Sequence, residues 1–140
     1  MPKLSWSPSL SLGVDIVDKQ HQQLVEIANT LIEAVEKGHG QEVVNSVIQS
    51  LREYTVHHFH DEEQFMADIH YPKRGEHAAQ HAELVRLVKD FQHRLYIKEI
   101  ISGEQIKAFL KSWLLEHILE HDLDIGQFVR SKEAPVDESD

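Results

Sequence analysis

The chain contains no cysteine. Disulfides, thiolate metal sites and cysteine nucleophiles are therefore excluded, and the absence suits a reducing cytoplasm. Long apolar runs are also missing, since no segment approaches the roughly 18 uncharged apolar residues of a membrane span. Residues 1–14 show no basic stretch followed by an apolar one, so the expectation is a soluble, unexported, cytoplasmic protein without membrane insertion. Positive charge is scarce: 14 lysines and arginines stand against 24 aspartates and glutamates, a formal charge of −10. Such a surface repels phosphate backbones and disfavours nucleic acid as a partner. No segment alternates like a strand, no internal repeat is visible, and the only biased stretch is the acidic end of the chain.

Histidine is what the sequence has in excess, with eleven in 140 residues and none in a terminal tag. A hydrophobic content of 41% is enough for one compact domain with a core, and the chain reads as an arm over 1–14, a bundle over 15–130 and an acidic tail over 131–140. Four segments carry apolar residues at helical spacing. The first, over about 17–37, carries Leu24, Ile27, Leu31, Ile32 and Val35 and stops at Gly38-His39-Gly40. The second, over about 41–68, runs through Val44, Ile48 and Leu51 to Phe65 and Met66, and Tyr71-Pro72 marks the turn beyond it. A third, over about 75–97, carries Leu84, Val85, Val88, Phe91 and Leu95. The fourth, over about 104–121, carries Ile106, Leu110, Trp113, Leu114 and Ile118, with Ser102 or Gly103 as its N-cap. Long helices joined by short turns predict an all-α fold, an antiparallel up-down-up-down four-helix bundle with an N-terminal arm docked by Trp6, Leu10 and Leu12.

Helical periodicity then sorts the histidines. With Leu51 as the inward direction of the second helix, His58 and Glu62 each lie about 20° from it, whereas His57 and Asp61 lie roughly 120° and 80° away and read as a rim pair. On the third helix His77 and His81 lie about 20° and 60° from Leu84, and on the fourth His117 lies about 20° from Leu110. His21 precedes Leu24 by one turn on the first. His39, His57, His60, His70 and His93 are expected at the surface or in loops.

A single inward histidine is ordinarily a hydrogen-bonded core residue. Five with an inward glutamate are different, because burying them without a cation would cost on the order of 1–3 kcal/mol for each unsatisfied polar group. Imidazole with carboxylate suits iron, zinc, manganese or copper, and more than four ligands favours two metals.

In these residues the sequence resembles the hemerythrin family, in particular its single-domain bacterial members. The likeness spans nearly the whole chain: Trp6 and Gly13; Val17-Asp18-Lys19-Gln20-His21; His58-Phe59-His60-Asp61-Glu62-Glu63-Gln64-Phe65-Met66; His77-Ala78-Ala79-Gln80-His81; and Trp113-Leu114-Leu115-Glu116-His117 through His121-Asp122. The resemblance implies a non-haem centre of two iron ions with an oxo or hydroxo bridge. It assigns His77, His81 and His117 to one iron, His21 and His58 to the other, and Glu62 and Asp122 to both. Dioxygen would bind reversibly at the open position of the second iron, for carriage, storage or delivery, without a catalytic cycle. Leu24, Trp113, Leu114 and Ile118 would line the oxygen pocket and keep water out.

At one position the two readings diverge. On an ideal fourth helix His121 lies about 20° from Leu110 and Asp122 about 120° from it, so periodicity selects the histidine and the resemblance the aspartate. Agreement requires that helix to be distorted or to end near Glu120. Alternative functions are a di-iron enzyme (oxidase, peroxidase or nitric-oxide handling), an oxygen or redox sensor, and a metal-free interaction bundle. Ferritin-like chemistry is disfavoured, because the only Glu-x-x-His runs from Glu36 to His39 across the helix-ending Gly38. A sensor would need a separate output partner. No interface follows from composition, so a monomer is the default, and an oxygen-recipient protein is not identified.

Overall fold

The computed structural model describes Leu4, Trp6 and residues 10–99 and 102–133. Among them are helices and turns and no strand. Helix α1 spans Asp15–Glu36, α2 Gln41–Asp68 and α3 Arg74–Tyr96. The fourth rod is continuous but not uniform: α4 (Gly103–Leu110), a π-helical stretch (Lys111–Leu119) and α5 (Glu120–Glu133) follow one another without a break. α1 packs against α2 and the fourth rod, and α2 against α3, as the up-down-up-down order requires.

Local chemistry sets the boundaries. α1 ends where Gly38 turns left-handed at φ 71°, and the Gly38 and His39 amides then reach back to the carbonyls of Val35 and Ala34. α2 closes in the same way without a glycine: His70 adopts φ 56° while the Tyr71 amide bonds the Met66 carbonyl at 2.9 Å. Ser102 is the N-cap of α4, its hydroxyl accepting from the Gln105 amide at 3.1 Å and the Gln105 side chain reaching back. The fourth rod runs twelve residues past the sequence boundary at 121 and takes in the start of the expected tail.

Apolar burial is divided into two clusters. The larger takes Leu24, Ala28, Leu31 and Ile32 from α1, Ile48, Leu51 and Phe59 from α2, Leu84, Val88 and Phe91 from α3, and Leu110, Trp113, Leu114 and Ile118 from the fourth rod. The smaller, towards the opposite end, holds Leu12, Val17, Met66, Tyr71 and Ile125. In every rod the chain passes between the clusters at a polar residue: His21 after Val17, His58 and Glu62 before Met66, His77 and His81 after Tyr71, and Asp122 before Ile125. The apolar pattern thus leaves one dry layer across the bundle in which these groups must satisfy one another.

The described residues of the arm dock, with Trp6 and Leu10 packed against the larger cluster and Leu12 inside the smaller. Leu4 exchanges two hydrogen bonds with the Asn29 side chain, of 2.7 and 2.9 Å. Asp18 gathers the Leu12 amide (2.8 Å) and the Ser11 hydroxyl (2.7 Å). Leu12 passes so close to α5 that a Cβ at Gly126 would lie 2.8 Å from the Leu12 carbonyl oxygen, which explains a glycine inside that helix.

Candidate metal centre

Six of the seven residues proposed as ligands meet in the polar layer. His21, His58 and Glu62 are fully buried, and His77, His81 and Asp122 nearly so. The backbone of His117 lies in the π-helical stretch; its side chain falls outside the described residues. Leu24, Trp113, Leu114 and Ile118 are all buried in the larger apolar cluster. The Trp113 indole nitrogen donates to the Leu84 carbonyl at 2.9 Å, which fixes the ring.

The carboxylates divide their oxygens between two pairs of imidazoles. Glu62 Oε1 lies 3.1 Å from His77 Nε2 and 2.9 Å from His81 Nε2. Its Oε2 lies 3.3 Å from His58 Nε2 and 3.6 Å from His21 Nε2. Asp122 repeats the division, with Oδ1 at 2.7 Å from His77 Nε2 and Oδ2 at 2.8 Å from His21 Nε2. Two donor sets result, His21, His58, Glu62 and Asp122 on one side and Glu62, His77, His81 and Asp122 on the other, each with donor atoms within 4.8 Å of one another.

Two buried atoms test whether a cation fits. His58 Nε2 and Glu62 Oε2, both facing the layer, have no hydrogen-bond partner among the described residues. His58 Nε2 and Glu62 Oε2 are only 3.3 Å apart and still fail to bond, so their lone pairs converge on common space instead of on each other. Orphaned polar atoms in a dry layer cost about 1–3 kcal/mol each, a penalty that a shared cation removes. Nitrogen and oxygen donors in this mixture suit a transition metal.

Without a metal the layer is a proton trap. Burial opposes charge on His21 and His77, but the carboxylates of Asp122 and Glu62 outweigh it and raise the two pKa values to about 9 and about 10. His58 moves up for the same reason. Burial alone would raise the pKa of Glu62, yet four surrounding imidazoles hold its carboxyl well below the usual range. Cations and protons therefore compete for the same lone pairs.

Three flanking residues go unnoticed by periodicity. Gln20 Oε1 accepts from His58 Nδ1 at 2.6 Å, and its amide donates to Asp61 at 2.9 Å. Glu63 Oε2 accepts from His81 Nδ1 at 2.8 Å, and Phe59 stacks on the His81 ring with centroids 3.8 Å apart. Each bond to Nδ1 leaves Nε2 as the donor that faces the layer. Adjacency was the available signal, since Gln20 precedes His21, and Phe59 and Glu63 follow His58 and Glu62. His57 is 59% exposed and pairs with Asp61 at 3.3 Å, the rim pair expected, and His39, His60, His70 and His93 are exposed.

Which of His121 and Asp122 faces the layer is set by the π-helical stretch. Widening the hydrogen bonds from i→i+4 to i→i+5 lowers the rotation per residue by roughly 15°, which over the nine residues of this stretch accumulates to about the 120° mismatch. Asp122 turns inward and is 1% exposed. His121 turns outward, where its Nδ1 donates to Gln80 Oε1 at 3.1 Å. The helix is distorted and does not end.

A family model described as the hemerythrin HHE cation binding domain matches residues 12–129. The chain belongs to the hemerythrin family. A bacteriohemerythrin of Pseudomonas paraeruginosa is 32% identical over 130 residues, which cover 93% of this chain and 84% of that protein. Another, from Clostridium acetobutylicum, is 31% identical over 127 residues, covering 84% and 94% respectively. The crystal structure of a wild-type hemerythrin matches the fold with a TM-score of 0.77 at 26% identity, over 89% of this chain and 95% of that one. The polar layer of this hemerythrin lies wholly within the matched residues. No helix among the described residues is long and apolar enough to cross a membrane.

Proposed function

We propose that the layer holds two non-haem iron ions and binds dioxygen reversibly, for carriage, storage or delivery in the cytoplasm. The observation that carries the proposal is the division of each buried carboxylate between two imidazole pairs. One cation would take His77 and His81, the other His21 and His58, and Glu62 and Asp122 would serve both. His117 joins the first set by family resemblance. When bound, the iron pair supplies the two electrons that reversible dioxygen binding requires.

The protein's own residues do the rest. Gln20 and Glu63 hold His58 and His81 with Nε2 towards the layer. Leu24, Trp113, Leu114 and Ile118 keep the layer dry on the side of the larger cluster, so external acid does not reach it and release of the gas competes with irreversible oxidation. No side chain is assigned a catalytic role. Histidine-rich ligation with only two carboxylates favours the reduced metals over an oxygen-anion cage, which supports binding over turnover.

The test is iron per chain together with the visible spectrum of the reduced protein before oxygen, after oxygen and after its removal. Two irons and a visible band that comes and goes with oxygen are expected. Two irons with rapid irreversible oxidation would move the reading to an enzyme or sensor, and absence of iron would overturn it.

A further inference from the structure

The layer is not sealed equally on all sides. The side chains of His21, His58 and Glu62 have no exposure and Asp122 has 1%, whereas His77 and His81 keep 7% and 4%. His77 also forms part of the wall of a polar surface cleft of about 170 Å³, shared with Tyr71, Lys73, Glu76, Gln80, His121 and Asp124. The cleft lies on the seam between α3 and the fourth rod, where the two backbones approach less closely than along α1–α2 or α2–α3. A second, more apolar cavity of about 330 Å³ on the same seam is lined by Glu83, Leu84 and Leu87 and shares Gln80 and His121 with the first. The hydrogen bond between Gln80 and His121 therefore spans the loose seam where the two cavities meet.

We propose that this polar cleft is the entrance through which a divalent cation reaches the layer, and that His121 is the side chain that first takes the cation from water. The inference rests on the reading of the layer as a two-cation site. Donation from His121 Nδ1 to Gln80 puts the basic lone pair on Nε2, the form of imidazole that binds a metal ion. Glu76 and Asp124 outnumber Lys73 in the cleft and make its potential negative. A hydrated cation exchanges water for His121 and then for His77, whose imidazole faces both the cleft and the layer. Stepwise exchange suits a layer whose other donors are closed to solvent. The residue that periodicity places in the site and the structure places at its mouth thereby acquires a role.

The experiment mixes metal-free protein with cobalt(II) chloride and follows the visible cobalt absorption in time, with cobalt per chain measured at the end. Wild type is expected to take two. His121→Ala should reach the same count and the same final spectrum, but severalfold more slowly, because the cation loses the first ligand that replaces its water. Asp124→Asn should slow loading less and weaken its dependence on salt, and His39→Ala, at an exposed loop position, should match wild type. Loading at the wild-type rate by both His121→Ala and the His121→Ala/Asp124→Asn double variant would overturn the entrance. A lower final count or an altered spectrum in His121→Ala would make it a ligand of the layer and overturn the entrance as well. Fewer than two cobalt ions in wild type would instead overturn the two-cation reading on which the entrance rests.

Discussion

The two halves of the polar layer use the same ligand types and differ in what stands behind them. In the His21/His58 half both imidazoles have no exposure, His58 is oriented by the neutral amide of Gln20, and His21 Nδ1 has no partner among the described residues. In the His77/His81 half both imidazoles keep slight contact with solvent, and His81 is oriented by the half-exposed carboxylate of Glu63. A carboxylate behind an imidazole makes it a stronger donor than an amide does. The difference predicts a tightly held, solvent-reachable metal on one side and a more weakly supported, dry position on the other, where a neutral gas displaces no water.

Glu62→Ala should have the largest effect, because this carboxylate is shared by both halves. Metal content should fall from two per chain to one or none, as measured by elemental analysis after dialysis. Retention of two would mean that Asp122 alone joins the halves. Asp122→Ala should likewise cost metal, and His121→Ala should leave the final count at two.

Exchanging the supports would sharpen the contrast between the halves. Glu63→Leu should weaken metal binding in the His77/His81 half by about 10–100-fold, and Gln20→Leu should act on the His21/His58 half, within the range seen for groups that orient ligands. Chelator titration separates the two, since Glu63→Leu should narrow the gap between tight and weak sites and Gln20→Leu should widen it. Equal loss at both sites in either variant would deny that the halves are independently supported.

Acidity distinguishes the layer with and without metal. The raised pKa values of His21 and His77, about 9 and about 10, mean that their protonation stabilises the metal-free fold fully below about pH 6.5, the ordinary histidine value. That contribution falls as pH rises and is lost above pH 9–10. The unfolding free energy of the metal-free protein, from denaturant titration, should therefore drop between pH 7 and pH 10 by on the order of a few kcal/mol. The two-metal protein should not follow, because there the metal ions take the place of those protons. A parallel fall in both forms would show that the protons lie elsewhere.

Much of the layer was legible in the sequence, for a physical reason. His58 and Glu62 fall on the stripe of α2, and His77 and His81 on that of α3, because these helices are regular and one angle per residue carries from the core to the site. The same rule fails on the fourth rod, where nine residues of π-helix turn Asp122 inward and His121 outward. Nothing in the spacing of Trp113, Leu114 and Ile118 announces that change of pitch, and only likeness to other chains selected Asp122. Gln20 and Glu63 escaped for another reason. Each bonds an imidazole on a neighbouring helix, a relation between elements that periodicity along a single helix does not contain.

The smallest expected effect marks where the supports end. His57 lies one residue from His58, yet it is 59% exposed and touches the layer only through a chain of contacts, 3.3 Å to Asp61 and from there to Gln20 and His58. Gln20 is held by Asp61 whether or not His57 is present, so His57→Ala removes an exposed pair of little value and leaves the orientation of His58 intact. Stability should change by no more than about 0.5 kcal/mol, and metal content and oxygen binding should match wild type. Asp61→Ala removes the group that receives the Gln20 amide and should reproduce part of the Gln20→Leu defect. Chelator titration of the two variants side by side checks this order, and a His57→Ala defect as large as that of Asp61→Ala would extend the support of the His21/His58 half outward to the rim.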